Sequence, residues 1–464
     1  MKKVLFSALL FPLSCFANDI TTCQDLQNMQ QDLAAKYVLT ADIDCSGFKW
    51  TPIVGTFTGQ LDGQNHRILN LVIKNQKSSG GLFETLERAQ IKDIIVEDAA
   101  LAWYGQSHEL SVGFIAAQAH DSVFQNVRLK EVAIDVHDSH AAGLVVGSAV
   151  DTLFEKVAIN NSRLQASTQY AGLMVGSFIG NPGREKTNPI GIVKSKVIAS
   201  ELYASNPSIH SAFGGITGYS KGLFLSNNAV EKITIATAKK TARNVMYMGA
   251  LSGIADINNN FVNFNKITDA HLIGAQYAGG MFGKMRLTSC LSHDTISQNR
   301  IDVDMQVKKI GAGFTSKIES AIDKDISCDI SNSEVRAHIV HAPNSEPIAA
   351  GFIGLIETHG APSITIKNNY VLSNLAVEEI DNRSGFVHSI TKANPAPVFI
   401  SNFWNKELAQ TSTALPLENE DGAVGLTTLA MQDPQTYVDA GWDMDAVWYM
   451  PSNQYPRLLA IDLK

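Results

Sequence analysis

Apolar and polar residues alternate in short runs along most of this chain, and glycine, asparagine and aspartate separate the runs. In stretches such as Val132-Ala-Ile-Asp-Val136 and Ile301-Asp-Val303, apolar residues recur at every second position. A period of two places successive side chains on opposite faces of a β-strand. The pattern therefore predicts many short strands with one buried face, joined by tight corners.

The runs belong to a longer repeat. A glycine followed by apolar residues returns at ten positions, and most of the intervals between them are 27 to 38 residues long. These glycines are Gly81, Gly113, Gly143, Gly172, Gly215, Gly253, Gly280, Gly313, Gly351 and Gly385. The longest interval, 43 residues, separates Gly172 from Gly215 and indicates a loop inserted into one repeat. Repetition at this period predicts a solenoid, in which each coil packs on its neighbours.

A second marker runs in step with the glycines: an apolar residue, any residue, and then asparagine. It ends at Asn70, Asn126, Asn227, Asn263, Asn332, Asn368 and Asn402. Glycine and asparagine both tolerate a left-handed backbone, so we interpret the two markers as two corners of each coil. Stacked asparagine amides are expected to hydrogen-bond along the axis.

Together these patterns predict an all-β fold, a single-stranded right-handed parallel β-helix of about a dozen coils. Its inward side chains would form rows of Val, Ile, Leu and Phe, one residue from each coil. The chain then divides into residues 1–17 as a signal peptide, 18–80 as an N-terminal cap with the first coils, 81–402 as the repeat β-helix, and 403–464 as a C-terminal capping unit.

Both ends of the rod need a cover, because an open coil exposes an unpaired edge. Residues 18–36 have the pattern of a short amphipathic helix that Thr21 or Thr22 caps, with Leu26 and Met29 on its apolar face. Residues 403–464 are rich in aromatic side chains, and a short helix is expected to start at Thr427 or Thr428. We therefore expect a helical cap at the N-terminus and an aromatic cap at the C-terminus.

The N-terminus has the composition of a signal peptide. Lys2 and Lys3 precede a short apolar run, and Cys15-Phe-Ala17 places small residues where a signal peptidase reads them, so cleavage is expected after Ala17. An imperfect lipoprotein box ending at Cys15 is the alternative. No later stretch of the sequence is long and apolar enough to span a bilayer. We expect export from a bacterium, to the medium, the cell surface or the periplasm.

Composition and charge narrow the choice of partners. The chain is 45% apolar, which is too much for a disordered protein. Its formal net charge of −8 becomes −10 when Lys2 and Lys3 leave with the signal peptide. An acidic mature chain is a poor match for nucleic acid or for an anionic membrane surface.

Four cysteines remain after cleavage, an even number that favours two disulfides in an exported protein. Cys23 and Cys45 lie in one end unit, so we pair them. Cys290 and Cys328 each follow a serine in adjacent repeats, where neighbouring coils come close enough for a disulfide. Zinc binding is the alternative, but the sequence has no Cys-x2-Cys spacing.

Several segments resemble the GLUG motif of bacterial secreted and surface proteins. They are Gly143-Leu-Val-Val-Gly147, Gly172-Leu-Met-Val-Gly176, Gly280-Met-Phe-Gly283 and Gly351-Phe-Ile-Gly354. The opening unit from Tyr37 to Leu71 and the tail from Phe403 to Pro456 are similar to units that flank such arrays. The resemblance implies a filamentous, adhesin-like parallel β-helix. Some proteins of this group carry an added zinc peptidase domain, but this sequence has no His-Glu-x-x-His.

Three groups of titratable residues are candidates for chemistry. Asp302 and Asp304 face outward together, and the adjacent repeats place Asp269, Glu334 and Arg336 at roughly matching positions. Several carboxylates aligned across coils with an Arg, Lys or His would suit acid–base or calcium chemistry on a polysaccharide. We interpret the other two groups as turn or loop residues, with metal binding as the alternative: Asp42, Asp44 and Asp62, and His137, His140, His338 and His341.

The sequence thus favours a non-catalytic, adhesin-like solenoid that contacts extracellular glycans or proteins, with no cofactor and no metal. The insertions at 103–111, 180–191, 341–348 and 359–362 are the predicted contact regions, because solenoids place insertions on the binding face. A polysaccharide lyase or glycoside hydrolase on the same fold is one alternative. A passive structural protein of the envelope is the other.

Overall fold

A computed structural model describes most of the chain after the predicted signal peptide. The described residues are 17–75, 80–105, 109–181, 190–205, 210–222, 224–237, 245–258, 261–290, 296–320, 326–359, 362–391, 395–416 and 422–462. The predicted cleavage site ends at the first of them, Ala17, and the rest of the signal peptide lies outside these ranges. So do parts of the predicted contact loops at 103–111, 180–191 and 359–362.

Within these ranges the strands form three long parallel sheets and one short antiparallel pair. Each coil crosses the three sheets in the same order. In one coil, Val123–Gln125 lies in sheet 1, Arg128–Lys130 and Ala133–Gly143 lie in sheet 2, and Val146–Val150 lies in sheet 3. The predicted parallel β-solenoid, with about three strands to a repeat, is confirmed.

In the described part of the chain, sheet 1 has 13 strands and sheet 3 has 11. Sheet 1 contains Asn18–Ile20, Lys36–Leu39, Gln60–Asp62, Gln90–Lys92, Val123–Gln125, Leu153–Glu155, Gly191–Val193, Phe224–Ser226, Val262–Asn263, Ile296–Ser297, Ile326–Ser331, Pro362–Lys367 and Val398–Ile400. Sheet 3 contains Ile53–Phe57, Phe83–Glu87, Ala116–His120, Val146–Val150, Val175–Ile179, Thr217–Lys221, Ser252–Asn258, Phe282–Ser289, Thr315–Ser320, Ile353–Thr358 and Val387–Thr391.

Sheet 2 is broader, with 24 strands among the described residues, because most coils contribute two strands to it or one long strand. It contains Ile43–Asp44, Arg67–Leu69, Val72–Asn75, Ile95–Glu97, Ala100–Trp103, Ser111–Gly113, Arg128–Lys130, Ala133–Gly143, Ala158–Asn160, Arg163–Gly172, Lys196–Ile198, Glu201–Ala204, His210–Gly214, Ala229–Glu231, Thr234–Thr237, Val245–Gly249, Lys266–Gly279, Arg300–Ala312, Glu334–His341, Ile348–Ala350, Tyr370–Ala376, Arg383–Ser384, Asn402–Asn405 and Ala423–Leu426.

Inward side chains stack on the equivalent residue of the next coil and form one continuous core. Phe314, Phe352 and Phe386 illustrate the stacking, since their ring centroids lie 4.8 Å apart at each step. That distance equals the spacing of hydrogen-bonded strands, so each ring packs against the ring one coil away. The predicted rows of apolar residues are confirmed.

The glycine repeat is confirmed in its first coils and wrong by one residue in later ones. Gly143 pairs with Gly113 and Gly172, and the row continues through Gly214, Gly249 and Gly279. Gly215, Gly280, Gly313, Gly351 and Gly385 lie in the adjacent row, and Gly253 aligns with the second glycine of the motif. The glycine therefore changes row along the rod: Leu144 and Leu173 occupy the adjacent row in early coils, and Ala312, Ala350 and Ser384 occupy the first row in late ones.

Most of these glycines are needed because other backbone atoms lie too close for a Cβ atom, and not because their own backbone is left-handed. A Cβ atom at Gly143 would lie 2.3 Å from the Val146 carbonyl oxygen, and one at Gly147 would lie 2.4 Å from the Val112 nitrogen. Gly81, with a φ of 146°, is the exception among the first four. The motif therefore builds a sharp corner between sheets 2 and 3.

The asparagine corner is confirmed at most of its predicted positions. Asn126, Asn227, Asn332 and Asn368 have left-handed φ angles between 50° and 57°. Asn263 and Asn402 were assigned wrongly, because each lies in a strand and the left-handed residues are Phe264 and Ser401. The stacked amides belong to the next position along the chain, whose side chain points inward. They are Asn228, Asn265 and Asn299 in one run, and Asn369 and Asn402 in another.

The N-terminal cap is shorter than predicted. Asn18–Ile20 is a strand of sheet 1, and the helix runs from Cys23 to Asn28, followed by a 3-10 turn at Met29–Gln31. Thr22 caps the helix, and Leu26 and Met29 are fully buried against the first coil. The Gln27 and Gln30 side chains each make two hydrogen bonds to the backbone of residues 51 and 54. The helix thereby covers the open end of the rod.

Both predicted disulfides are present. Cys23 is bonded to Cys45, with Cα atoms 5.6 Å apart, and Cys290 to Cys328, with Cα atoms 5.4 Å apart. The first bond holds the N-terminal helix on the first coils. The second joins the end of a sheet 3 strand to a sheet 1 strand one coil later.

The C-terminal unit covers the open end only in part. Trp404 and the segment 409–415 close the core there. The remaining aromatic residues pack against the outer face of sheet 2 instead, where Trp442 and Trp448 meet Tyr370. The elements of this unit are Lys406–Ala409, Ala423–Leu426, Thr428–Met431, Pro434–Asp439, Trp448–Tyr449, Arg457–Leu458 and Leu459–Asp462, and Ile380–Asn382 is a 3-10 turn just before it. Sequence alone did not reveal this second contact surface.

Candidate functional site

The corner between sheets 2 and 3 is concave on the outside of the rod. Tyr170 ends a sheet 2 strand, and Tyr219 lies in a sheet 3 strand one coil later. Their ring centroids are 5.2 Å apart, although both side chains lie outside the main core. Two outward side chains on different sheets meet only when the faces that carry them turn toward each other. The glycines of the repeat allow this sharp turn.

The aromatic residues continue along the same corner. Tyr247 and Tyr277 are register partners on adjacent coils, and their rings stack with centroids 5.0 Å apart. Tyr247 is 8% exposed, whereas Tyr170, Tyr219 and Tyr277 are half-buried. We call these four residues the tyrosine strip. They form a small apolar cluster, separate from the core, together with Ala212 and Ile254.

A ladder of charged residues borders the tyrosine strip on sheet 3. Asp256, Arg286 and Glu319 occupy the same register position on three successive coils. The Arg286 side chain lies 3.6 Å from Asp256 and 4.0 Å from Glu319. Lys284 and Lys317 reach Glu319 from the neighbouring row at 2.5 Å and 2.6 Å. The ladder alternates in sign, so it stiffens the wall of the corner.

Hydrogen bonds and cation–π contacts tie the ladder to the rings. The Tyr219 hydroxyl donates to Asp256 at 2.7 Å, and the Lys284 ammonium lies 5.3 Å from the Tyr247 ring centroid. The Lys309 ammonium is 5.7 Å from the Tyr277 ring. Such contacts fix the orientation of the rings, so the strip is organised before any ligand arrives.

Burial alters the titration of three tyrosines of the strip. It raises the pKa of Tyr170 and of Tyr219, and it raises the pKa of Tyr247 to about 12. Burial also lowers the pKa of Lys284, although Glu319 opposes that shift. The phenols therefore keep their protons at neutral pH, and a protonated phenol both donates and accepts hydrogen bonds.

A second group of polar side chains lies on the outer face of sheet 2. Asp302 and Asp304 project from one strand, as predicted, and Arg336 is the register partner of Asp302 on the next coil. Burial by surrounding groups raises the pKa of Asp302, and Arg336 opposes the shift. The carboxylates of Asp304, Glu334 and Asp269 raise it further. Asp302 itself keeps an exposed surface.

A histidine that the sequence did not single out joins this group. His271 bridges Asp269 on its own strand, at 3.1 Å, and Asp304 on the next coil, at 3.4 Å. Three coils thus bring together carboxylates, a histidine and an arginine on one outer face. Carboxylates aligned across coils with a histidine and an arginine suit acid–base chemistry on a polysaccharide. We call Asp269, His271, Asp302, Asp304 and Arg336 the carboxylate group.

The remaining candidate carboxylates and histidines have local partners. Asp42 pairs with Arg67 at 2.8 Å, Asp44 accepts hydrogen bonds from Ser46, and Asp62 pairs with Lys92 at 2.8 Å. The turn and cap interpretation of these aspartates agrees with those contacts. The four candidate histidines, His137, His140, His338 and His341, do not come together. Across the described ranges, no three His, Cys, Asp or Glu side chains form a metal-binding group.

The predicted contact loop at 341–348 is described and lies beside the coil before it, since the Ala342 amide donates to the Val307 carbonyl at 2.7 Å. The tyrosine strip was missed. Tyr170, Tyr247 and Tyr277 each stand two residues before a glycine of the aligned row, Gly172, Gly249 and Gly279, a spacing that is visible in the sequence once the row is known. None of the helices in the described ranges has the length and apolar character needed to cross a bilayer.

No protein-family model matches this chain, and no curated protein matches it. Among solved structures, a Bacteroides ovatus protein described as a candidate immunoglobulin A1 protease is similar over 96% of this chain and 92% of its own. The two share 14% identity, with a TM-score of 0.29. A likeness at this level supports no inference about activity.

Proposed function

We propose that this protein is an exported bacterial β-solenoid of the GLUG-motif kind that binds glycans without cleaving them, and that the tyrosine strip is its binding surface. One observation carries the proposal: Tyr170 and Tyr219 meet across a concave corner, and Tyr247 and Tyr277 extend the aromatic surface over further coils. Tyr170, Tyr247 and Tyr277 share one register row, and three of the four rings of the strip are half-buried. Such a row of rings favours a linear ligand with repeating apolar faces. A polysaccharide has that shape, because each sugar ring presents C–H groups on one side and hydroxyls around its edge.

The surroundings of the strip suit such a ligand. Binding sites combine an apolar or aromatic lining with a few placed polar groups. Here the lining is the four tyrosines, and the polar groups are the Tyr219 hydroxyl and the ladder of Asp256, Lys284 and Arg286. Export is supported by the two disulfides, which persist in oxidising compartments. An adhesin-like role on the cell surface follows from the combination of export and glycan binding.

A glycan array screened with the mature protein tests the proposal, followed by affinity measurements on the best neutral ligand. Tyr219→Ala and Tyr277→Ala each remove one ring from the strip. Each is expected to weaken binding by about 1–3 kcal/mol, as for other buried aromatic contacts. Tyr203→Ala is the matched control, since Tyr203 lies on sheet 2 under the Arg163 guanidinium and outside the strip. An equal loss of glycan affinity in all three variants, or the absence of any glycan ligand on the array, would refute the proposal and favour a passive structural role.

Polysaccharide cleavage is the second candidate function, and the carboxylate group favours it. Asp302, whose pKa is raised by burial, has the property of a general acid, and Asp304 lies two residues away on the same strand. Residues two apart along a strand project from one face, so both carboxylates are placed to reach one substrate. A reducing-end assay on a panel of polysaccharides tests this function. Activity that Asp302→Asn abolishes would establish catalysis, and inactivity across the panel would leave the binding function.

A further inference from the structure

A cavity of about 500 Å³ opens at a different corner of the coil, between sheets 1 and 2. Its lining includes Arg128, Lys156, Lys194 and Lys196, around the small side chains of Ala158 and Asn160. Four cationic side chains around one cavity are unexpected in a protein whose net charge is −8. Neither the tyrosine strip nor the carboxylate group uses any of them.

The coil geometry explains how the cavity forms. Arg128, Ala158 and Lys196 occupy one register row on three successive coils. The short Ala158 side chain leaves a gap between two long cationic ones, and this gap is about 9.6 Å wide at the strand spacing. Lys156 and Lys194 stand at the left-handed corner beside that row, on adjacent coils. The four cationic side chains therefore surround a space that the short Ala158 side chain leaves unfilled.

Few carboxylates neutralise this cavity. Lys194 is paired with Glu155 at 3.2 Å, and Arg128 donates to the Asn126 side-chain oxygen at 3.2 Å. Lys156 and Lys196 form no ion pair with any residue that the structure describes. Both are exposed at the cavity, so their charges are free to attract an anion.

We infer that this basic cavity binds the sulfate or carboxylate groups of an acidic polysaccharide. Charge-assisted hydrogen bonds from Arg and Lys are the strongest contacts that a protein makes with oxyanions. Cations at successive coils match a polymer that carries a charge on each repeating unit, whereas a single free anion would need only one or two of them. The site differs from the tyrosine strip in position and in the charge of its ligand, so it stands independently of the proposed function.

The test is calorimetric titration of the mature protein with four probes: a sulfated oligosaccharide, an oligogalacturonate of the same length, a neutral oligosaccharide and inorganic sulfate. Lys156→Gln and Lys196→Gln remove the two unpaired charges. We expect either change to weaken binding of an acidic oligosaccharide about fivefold, and the pair about 20-fold. Raising the salt concentration should weaken it as well. The two acidic probes separate a sulfate site from a carboxylate site.

Lys232→Gln is the matched control. Lys232 is exposed and has a left-handed φ of 54°, close to the 56° of Lys156, but it lies at another corner. The inference fails if the double variant binds acidic oligosaccharides as tightly as the unmodified protein does. It also fails if Lys232→Gln weakens that binding as much as Lys156→Gln does, or if inorganic sulfate binds as tightly as the oligosaccharides. Tyr219→Ala should leave acidic binding unchanged. Loss of neutral binding alone in that variant therefore distinguishes the strip from this cavity.

Discussion

The side-chain oxygen of Asn265 accepts two hydrogen bonds from Asn228, one from its backbone N–H at 3.2 Å and one from its amide NH2 at 3.1 Å. Asn265 in turn donates to the Leu225 carbonyl at 2.8 Å and to the Asn299 amide oxygen at 3.0 Å. Asn228 and Asn299, on the coils before and after, each donate to a backbone carbonyl in the same way, and both are fully buried. The ladder therefore joins consecutive coils through polar groups inside an otherwise apolar core.

Asn265→Ala is expected to destabilise the protein by about 1–3 kcal/mol, because it leaves the buried N–H of Asn228 without a partner and the Leu225 carbonyl with one donor fewer. The midpoint of urea unfolding measures the change. Asn263→Ala in the same coil is the control, since Asn263 is only half-buried at the end of its strand. Equal destabilisation by the two changes would contradict a special role for the ladder.

The Cys290–Cys328 disulfide closes a segment of 38 residues. Replacing both cysteines with serine is expected to lower stability by about 2–4 kcal/mol, mainly by freeing the unfolded chain. Thermal unfolding with and without reductant measures the loss. Reductant also breaks the Cys23–Cys45 bond in both proteins, so the unmodified protein should shift by more than the variant does. Equal shifts in the two proteins would show that the Cys290–Cys328 bond is absent in solution.

The Glu334 carboxylate is fully buried beneath the C-terminal tail and lies 2.8 Å from Arg300. Arg300 also holds Asp462, near the end of the chain, with a 2.5 Å contact. Glu334→Ala is expected to destabilise the protein by about 3–5 kcal/mol, because it leaves a buried guanidinium with one partner fewer. Protease sensitivity of residues 431–462, followed by mass spectrometry, reports release of the tail.

Asp462→Asn is a milder change at the same arginine and serves as the comparison. Asp462 is partly exposed, and its loss leaves the Arg300–Glu334 pair in place, so the effect should be smaller. If Asp462→Asn releases the tail and Glu334→Ala does not, the tail is held from its own end and the buried pair is dispensable.

The sequence predicted the coils because the features that build them are local. The alternation around Ile134 and the glycine at Gly143 depend on neighbours within a few residues, and both lie where the pattern placed them. The predicted row was wrong at Gly215 because the residue before it, Gly214, continues the row of Gly172. Counting glycines in the sequence does not distinguish these two rows, because the row of a glycine depends on the strand register between neighbouring coils.

The candidate site was harder to predict, because its contacts join residues far apart in the sequence. Tyr170 and Tyr219 are 49 positions apart, and only the angle of the glycine corner brings their rings together. The pairing of His271 with Asp304 likewise depends on the register shifts within two long strands. By contrast, Asp302 and Asp304 were found from sequence, since a period of two alone places them on one face.

Glu319 gives the charge ladder a predictable response to acid. Burial opposes ionisation of this carboxylate, but hydrogen bonds from Lys284 and Lys317 outweigh it, so its pKa lies below the ordinary value of 4.5. Below pH 4.5 the unfolded chain then binds more protons than the folded one, and stability falls as the pH falls through the folded pKa.

Glu319→Gln should remove this part of the acid destabilisation while lowering stability at pH 7. Thermal midpoints measured from pH 7 down to pH 3 test this, with Glu346→Gln, an exposed glutamate, as the control. Parallel pH curves for Glu319→Gln and the unmodified protein would show that the ladder contributes nothing to stability.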